Sequence, residues 1–339
     1  MRHWLLRSLL LVLVAIVVVS FLPACAGPPE EVYEIRISSQ MPIGHPISES
    51  VDLFCERAEE ESNGRLVFHH FPAGQLLKDV EVPEAISTGT IEMAQTYFPW
   101  WSGVIPGIMP YGGKSYEDLD HYLRLSRGPL GEYQAELMEE QGNAKVIAPI
   151  LYCASAGYIL TRPVHSPGDM EGIKVRISSK AIAAEVTALG GAPVVMSSAD
   201  VYMALQQATI DGAHSGITSF YARKWYEVAK YVFIPRFIVT DFYIVANLDW
   251  WNSLPSDLQQ IMMDVGEEAT EYCTQLVLAQ EEEARQGLRA EGVEIYEVSP
   301  DEYEAVFAPI LEPALRAAAV EDFGEELVAQ YEAWVEETR

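Results

Sequence analysis

The chain has 339 residues, with 22 Lys and Arg against 50 Asp and Glu, a formal charge of −28 at pH 7. Nucleic acid and anionic lipid headgroups are held by basic patches, so this balance argues against both as partners. The length suffices for two domains, each with its own core.

The first 24 residues read as a secretory leader. Arg2 and Arg7 give a basic start, residues 9–21 are apolar except Ser20, and Leu22-Pro23-Ala24-Cys25 follows. The apolar run is short for a membrane span, which needs roughly 20 residues. Leu-x-Ala-Cys resembles a lipobox, which implies cleavage before Cys25 and a lipid on its sulfur. Residues 25–31 then form a tether, and the protein is expected outside the cytoplasm, held at a membrane surface. Loss of Arg2 and Arg7 leaves 20 basic residues against 50 acidic ones.

After the tether, residues 32–38 read as a strand. Ile47, Val51, Phe54 and Ala58 recur at helical spacing until Asn63-Gly64. Further strands are expected over 66–71 and 91–98, with a short helix around Ile86 between them. Residues 116–138 look helical and 144–152 strand-like. In the second half, 173–177 is a strand and 181–189 a helix capped by Gly190-Gly191. Residues 193–196 form a strand, 200–207 a helix, and a short strand runs through Ile210. A helix near 221–228 and a strand over 242–247 complete an alternation that argues for α/β sheets with ligands at strand ends. From Ser256 to about Arg289 apolar residues recur every three or four positions, giving a helix of ~33 residues and ~50 Å. The spacing drifts off a heptad, which favours a helix lying across two domains. Ser299-Pro-Asp-Glu302 is a capping box that opens another helix.

No catalytic constellation is visible. The chain lacks a G-x-S-x-G elbow, a P-loop, H-E-x-x-H and a dinucleotide glycine fingerprint. His69 and His70, adjacent in a strand, point to opposite faces and share no metal, and His121 and His165 read as surface residues. Besides Cys25, the cysteines are Cys55, Cys153 and Cys273, which suit neither a disulfide framework nor a zinc site; an exported protein allows a Cys55–Cys273 bridge, but the pattern does not call for one.

Two stretches invite a ligand. Gly172-Ile-Lys-Val-Arg-Ile177 is an apolar strand with a guanidinium near its end. A buried arginine stays charged and needs an anion, from the protein or from a ligand. Tyr97-Phe-Pro-Trp-Trp101 follows a predicted strand, and its two adjacent tryptophans point in different directions, so one of them can face a cleft.

The segments SPGDMEGIKVRISS (166–179), GGAPVVMSSADVYMALQQATIDGAHSG (190–216) and KWYEVAKYV (224–232) resemble the substrate-binding proteins of TRAP transporters, the tripartite ATP-independent periplasmic carriers. ESNGRLVFHHFPAGQL (61–76) and WWNSLPSDLQQIM (250–262) resemble the same family in the same order, so the similarity covers roughly residues 32–310. The resemblance implies an α/β, two-domain, periplasmic-binding-protein type of fold, class II-like, with a ligand cleft between domains and a long helix spanning both. The domains would be 32–153 with 242–281, and 154–241 with 282–339. It implies a non-enzymatic receptor that closes on an organic acid by hinge motion and delivers it to an ion-driven permease, with no cofactor.

Carried over from the family, Arg176 grips the ligand carboxylate, as a planar fork suits. Some members have a second arginine near Ala156 and an asparagine where this chain has Ser215; a charged position falls at Trp100, with Tyr97 beside it. The expectation is that aromatic surface replaces a second ionic anchor, which favours a monocarboxylate with an apolar or aromatic body over dicarboxylates or sialic acid. Tyr152, Gln40 and His45 are further candidates at strand ends, with Ser198 before the Asp200 helix and His214 beside Ser215. Some relatives bridge the carboxylate by a metal, but no ligand set is visible here. The rival readings are an ABC-importer substrate-binding lipoprotein and an exported hydrolase. The hydrolase requires a histidine within reach of a cleft Ser, Cys or Thr.

Overall fold

The structure, a computed structural model, describes residues 31–109, 116–178, 182–236 and 238–339. The leader, Cys25 and most of the tether lie outside them. In chain order the strands are β1 (Tyr33–Ser38), β2 (Leu66–Phe71), β3 (Met93–Thr96), β4 (Ala144–Cys153), β5 (Ala156–Leu160), β6 (Lys174–Ile177), β7 (Ala192–Val195), β8 (Gly212–Gly216), β9 (Tyr231–Ile234), β10 (Thr240–Asn247) and β11 (Glu294–Glu297). They form two sheets, ordered β2-β1-β3-β10-β4 and β11-β9-β5-β8-β6-β7. β10 runs antiparallel to both β3 and β4, whereas β7, β6 and β8 are mutually parallel.

The helices are α1 (Pro46–Glu61), α2 (Val82–Ser87), α3 (Leu119–Ser126), α4 (Pro129–Gly142), α5 (Ala183–Ala188), α6 (Val201–Gln206), α7 (Ile217–Ala222), α8 (Leu248–Ser253), α9 (Ser256–Ala290), α10 (Ala308–Phe323) and α11 (Glu325–Glu337). Helix α9 is the expected long one, with 35 residues. Its buried positions explain its reach. Gly266 lies so close to Ile147 and Ala148 of β4 that a Cβ would touch them, and Cys273 donates to the Leu151 carbonyl. Three turns on, Ala284 and Leu288 are buried, and Leu288 joins the core formed by Ile159, Ala213 and Val232 of the second sheet. No helix among the described residues is long and apolar enough to cross a membrane.

The chain changes sheets between Cys153 and Ala156 and returns between Ile234 and Thr240. The two crossings lie side by side, with Ala156 N–H bonded to the Ile238 carbonyl and Thr240 in register with Cys153. Glu281 of α9 clamps the first crossing by accepting from the Ala154 and Ser155 N–H groups at 2.8 and 3.1 Å. Arg285, one turn later, donates to Ser155 Oγ at 2.7 Å. One helix thus supports both sheets and holds the backbone between them.

Several expectations shift. The predicted helix over 116–138 is two helices, because Gly128-Pro129 interrupts it and Pro129 takes the first position of α4. The helix near 221–228 is α7 followed by a 3-10 turn at Trp225–Glu227, and the strand through Ile210 starts two residues later as β8. Strands β5, β9 and β11 have no counterpart in the sequence reading. β5 and β9 are short, almost wholly buried runs without alternation, which periodicity alone does not identify. His121 is a correction: it is 1% exposed, with Nδ1 accepting from Glu117 N–H and Nε2 2.8 Å from the Val335 carbonyl. That contact, with Tyr133 against Trp334 at 5.3 Å, seats α11 on the helices of the first sheet. His69 and His70 do point apart, to Glu34 and to Asp52 with Ser39. Cys55, Cys153 and Cys273 are all free and buried.

Asp241 of β10 is 4% exposed, and its Oδ2 has no hydrogen-bond partner among the described residues. Burial pushes its pKa up from 3.8 to about 6. A carboxylate raised in this way destabilises the folded chain above its folded pKa, and the cost disappears below the unfolded one. Asp241→Asn is therefore expected to gain about 3 kcal/mol at pH 7, the advantage shrinking to nothing below about pH 4. Denaturant titrations of both proteins from pH 4 to 7 check this; a constant difference across that range would refute it.

Candidate functional site

Why an arginine stands in β6 follows from the pleat. Val175 and Ile177 enter one core of the second sheet, beside Tyr158, Leu160 and Phe233. Side chains alternate along a strand, so Arg176 emerges on the opposite face, paired in register with Ala213 and Val194. It is 2% exposed. Nε donates to the Met196 carbonyl at 2.9 Å and Nη1 to the His214 carbonyl at 3.3 Å, while Nη2 lies 3.5 Å from Asp79 Oδ2. A guanidinium has five N–H donors, so these contacts among the described residues leave two. Burial lowers the Arg176 pKa to about 10 against the opposing pull of Asp79, and the group is still charged at neutral pH.

Around it lies a cavity of about 40 Å³ where the C-terminal ends of β3, β4, β6 and β8 converge. Of the residues proposed from sequence, Arg176, Tyr97, Trp100, Tyr152, Ser198, His214 and Ser215 line this one space. Tyr152 and Phe242 stack at 4.5 Å, and Tyr97 and Trp100 meet Phe242 at 5.0 and 5.5 Å, forming a continuous aromatic wall. Trp101 turns the other way: it is fully buried and donates to Thr96 Oγ1. The Tyr152 hydroxyl accepts from Gly216 N–H at 3.0 Å and contacts Ser215 Oγ at 2.6 Å and Ser219 Oγ at 2.9 Å. Two buried ring nitrogens on lining residues, Trp100 Nε1 and His214 Nε2, have no partner among the described residues. Burial lowers His214 to about 4, so its ring is neutral. A second, more apolar cavity of about 110 Å³ shares Tyr97, Ile182, His214 and Thr240 with the first and continues past Tyr116, Leu125 and Leu315.

Gln40 and His45 stand behind this lining. Gln40 N–H donates to Gln95 Oε1 and its carbonyl accepts from Arg223 Nη2 at 2.5 Å. His45 caps α1, its Nδ1 accepting from Ile47 N–H at 3.2 Å, and its ring stacks on Tyr152 at 5.8 Å. Its Nε2 is 3.3 Å from Ser219 Oγ, in the cavity wall. The hydrolase reading turns on this contact. Burial holds the His45 pKa at about 3, so the ring is neutral. With Nδ1 occupied as an acceptor the single proton sits on Nε2, which then donates to the hydroxyls and cannot take a proton from Ser219.

Two lining residues were missed. Arg223, at the end of α7, brings a second guanidinium to the cavity, with burial lowering its pKa. This corrects the expectation that a second ionic anchor is absent. Its polar contacts are with the Gln40 carbonyl and Met41 Sδ, partners that leave no charge pattern in the sequence. Asp79, not singled out in the sequence, is 2% exposed and meets the opposite wall through Ser198 N–H at 3.0 Å and Arg176. At the rim Lys78 pairs with Asp200 at 3.1 Å. No group of three or more His, Cys, Asp or Glu among the described residues is placed to hold a metal.

The geometry has counterparts in known proteins. The C4-dicarboxylate-binding periplasmic protein DctP of Rhodobacter capsulatus is 28% identical over 85% of this chain and 87% of its own. The sialic acid-binding periplasmic protein SiaP of Vibrio cholerae is 24% identical over 77% and 82%. A TRAP periplasmic solute-binding protein from Desulfovibrio salexigens, solved with orotic acid, superposes with a TM-score of 0.81 at 22% identity, over 91% of this chain and all of that one. One from Sulfurospirillum deleyianum, solved with succinate, gives 0.80 at 23% identity over 89% and 99%. The family of bacterial extracellular solute-binding proteins, family 7 (DctP), matches residues 37–321. With its two α/β lobes and its cleft at the strand ends, this chain belongs to that family, the substrate-binding receptors of TRAP transporters, and is not an enzyme.

Proposed function

We propose that the Arg176 cleft holds a small organic acid with one carboxylate and an apolar or aromatic body, and that the receptor delivers it to a TRAP-type permease. The observation that carries this reading is the junction of the two cavities. Arg176, which lines the polar one, has two donors that no described residue occupies. The apolar one adjoins it, with Tyr97, Ile182, His214 and Thr240 common to both linings. A carboxylate on the guanidinium would thus direct its body along the aromatic wall into apolar surroundings, with Trp100 Nε1, His214 Nε2 and Ser215 in reach of a 2-oxo or 2-hydroxy group. Relatives of this fold are solved with acids of both kinds, orotic acid and succinate among them, so the choice rests on this chain's own lining.

Binding would draw together a lobe of residues 32–153 with 242–281 and a lobe of 154–241 with 282–339, hinged at the Glu281-clamped crossing, with α11 reaching back to the first lobe. Lipidation at Cys25 would hold the receptor at the membrane beside its permease. A thermal-shift screen of the chain from residue 26 against organic acids tests the ligand class. An acid at 100 times its dissociation constant adds about 2.7 kcal/mol, about 4 °C for a chain of this size. Aryl or branched monoacids should give the largest shifts. Shifts confined to dicarboxylates would overturn the ligand class, and shifts with sugars or peptides alone would overturn the acid site.

A further inference from the structure

We infer that Asp79 is a specificity-determining residue: a counter-anion built into the cleft, which admits a ligand carrying one negative charge and excludes one carrying two. The inference rests on the proposal that this cleft holds the acid.

Three side chains of charged type line the cavity among the described residues: Arg176, Arg223 and Asp79. His214 and the adjoining His45 are neutral, so the described residues of the lining carry one net positive charge. A single carboxylate completes neutrality. A second would enter a space of about 40 Å³ in which Asp79 already answers one of the guanidinium groups, and its desolvation would go uncompensated. Asp79 cannot turn away to make room. Its Oδ2 is held by the Ser198 N–H at 3.0 Å and its Oδ1 lies 3.0 Å from the Val80 N–H.

The ion pair itself is loose, at 3.5 Å between Arg176 Nη2 and Asp79 Oδ2, rather than the closed bidentate fork of a structural pair. Arg176 is thus neutralised without being used up. Asp79 also spans the two walls, from the loop after β2 to β6 and Ser198, but the rim pair Lys78–Asp200 makes a parallel connection at 3.1 Å. Removing the Asp79 charge therefore need not open the cleft, whereas it raises the net charge of the lining from one to two.

Calorimetric titration of the wild type and Asp79→Asn with matched pairs, butyrate with succinate and benzoate with phthalate, reads the effect as a ratio of affinities. The wild type should prefer the monoacid, and Asp79→Asn should move the ratio toward the diacid by roughly a hundredfold. A ratio unchanged within about threefold in a variant that melts cooperatively, or a wild type that prefers the diacids, would overturn the inference. A second measurement needs no variant. Wild-type affinity for succinate should fall about tenfold per pH unit above the ligand's second pKa, because only the singly charged form fits. Arg176 and His214 do not titrate between pH 6 and 8, whereas Asp241, between the lining residues Thr240 and Phe242, titrates at about 6, so the slope is read from pH 7 to 8, where a flat succinate profile would also overturn it. A wild type that binds none of these acids, nor any other carboxylate, refutes the acid site itself and is seen without the variant.

Discussion

Arg176→Ala is expected to lower affinity for the acid by roughly a hundred- to a thousandfold, a loss of about 3–4 kcal/mol. The size follows from the burial of the guanidinium: at 2% exposure the ligand carboxylate has no water to fall back on when its partner goes. The neighbouring Asp79 makes the loss steeper, because without Arg176 its carboxylate faces the incoming one with only Arg223 between them to balance both. Arg176→Lys separates charge from shape. An ammonium restores the charge but not the fork that reaches Met196, His214 and the ligand at once, so affinity should recover only in part. Because Arg176→Ala also leaves Asp79 less well paired, the unliganded protein should melt earlier as well, and calorimetric affinity rather than melting temperature is the deciding measurement. Affinity within threefold of wild type would remove Arg176 from the binding role.

How much of this was legible beforehand differs between the fold and the cleft. The long helix could be read because 35 residues of period 3.6 have no other explanation, and Arg176 because a charge in an apolar strand demands an anion. Most of the lining residues that were found stand at or within a few residues of a strand end, where periodicity stops and a parallel sheet presents its ligands; Arg176, Tyr97, Trp100 and Ser215 were placed through the family resemblance as well, and His214, in the middle of β8, as the neighbour of Ser215. Arg223 and Asp79 fail that criterion. Arg223 ends a short helix and contacts a backbone carbonyl and a thioether, while Asp79 becomes buried only when the two walls meet. Such residues are made functional by the approach of segments more than 100 residues apart, which no local pattern encodes. Gln40 illustrates the converse. It stands just beyond a strand, yet its contribution to the cleft is its carbonyl, which accepts from Arg223.

The largest stability effect is expected not at the cleft mouth but beneath it, at Glu185. This carboxylate of α5 accepts from Arg236 Nε and Nη2 at 2.9 and 2.8 Å and from the Tyr158 hydroxyl at 2.6 Å. Burial, the largest influence, would raise its pKa, but the Arg236 guanidinium, His214 and the Tyr158 hydroxyl together outweigh it and hold the carboxyl below the usual carboxylate range. A carboxyl depressed in this way stabilises the fold above its unfolded pKa and loses that contribution as pH falls through the folded one. Glu185→Ala strips the carboxylate from a guanidinium whose side chain is only 8% exposed, and the expected cost is about 3–5 kcal/mol, or about 5–8 °C in a chain of this size. Glu185→Gln should cost less, because the amide oxygen still accepts from one donor. Replacing both Glu185 and Arg236 by apolar residues should recover much of the loss, since burying neither charge avoids the desolvation that the pair exists to offset. The pair stands in the wall of the apolar cavity, beside His214, so the same variants should weaken acids with a long body more than short ones. Denaturant unfolding of the three variants at pH 7 decides the matter: a Glu185→Ala protein within about 1 kcal/mol of wild type would mean that Arg236 is satisfied elsewhere and that this wall of the cavity is not held by the ion pair.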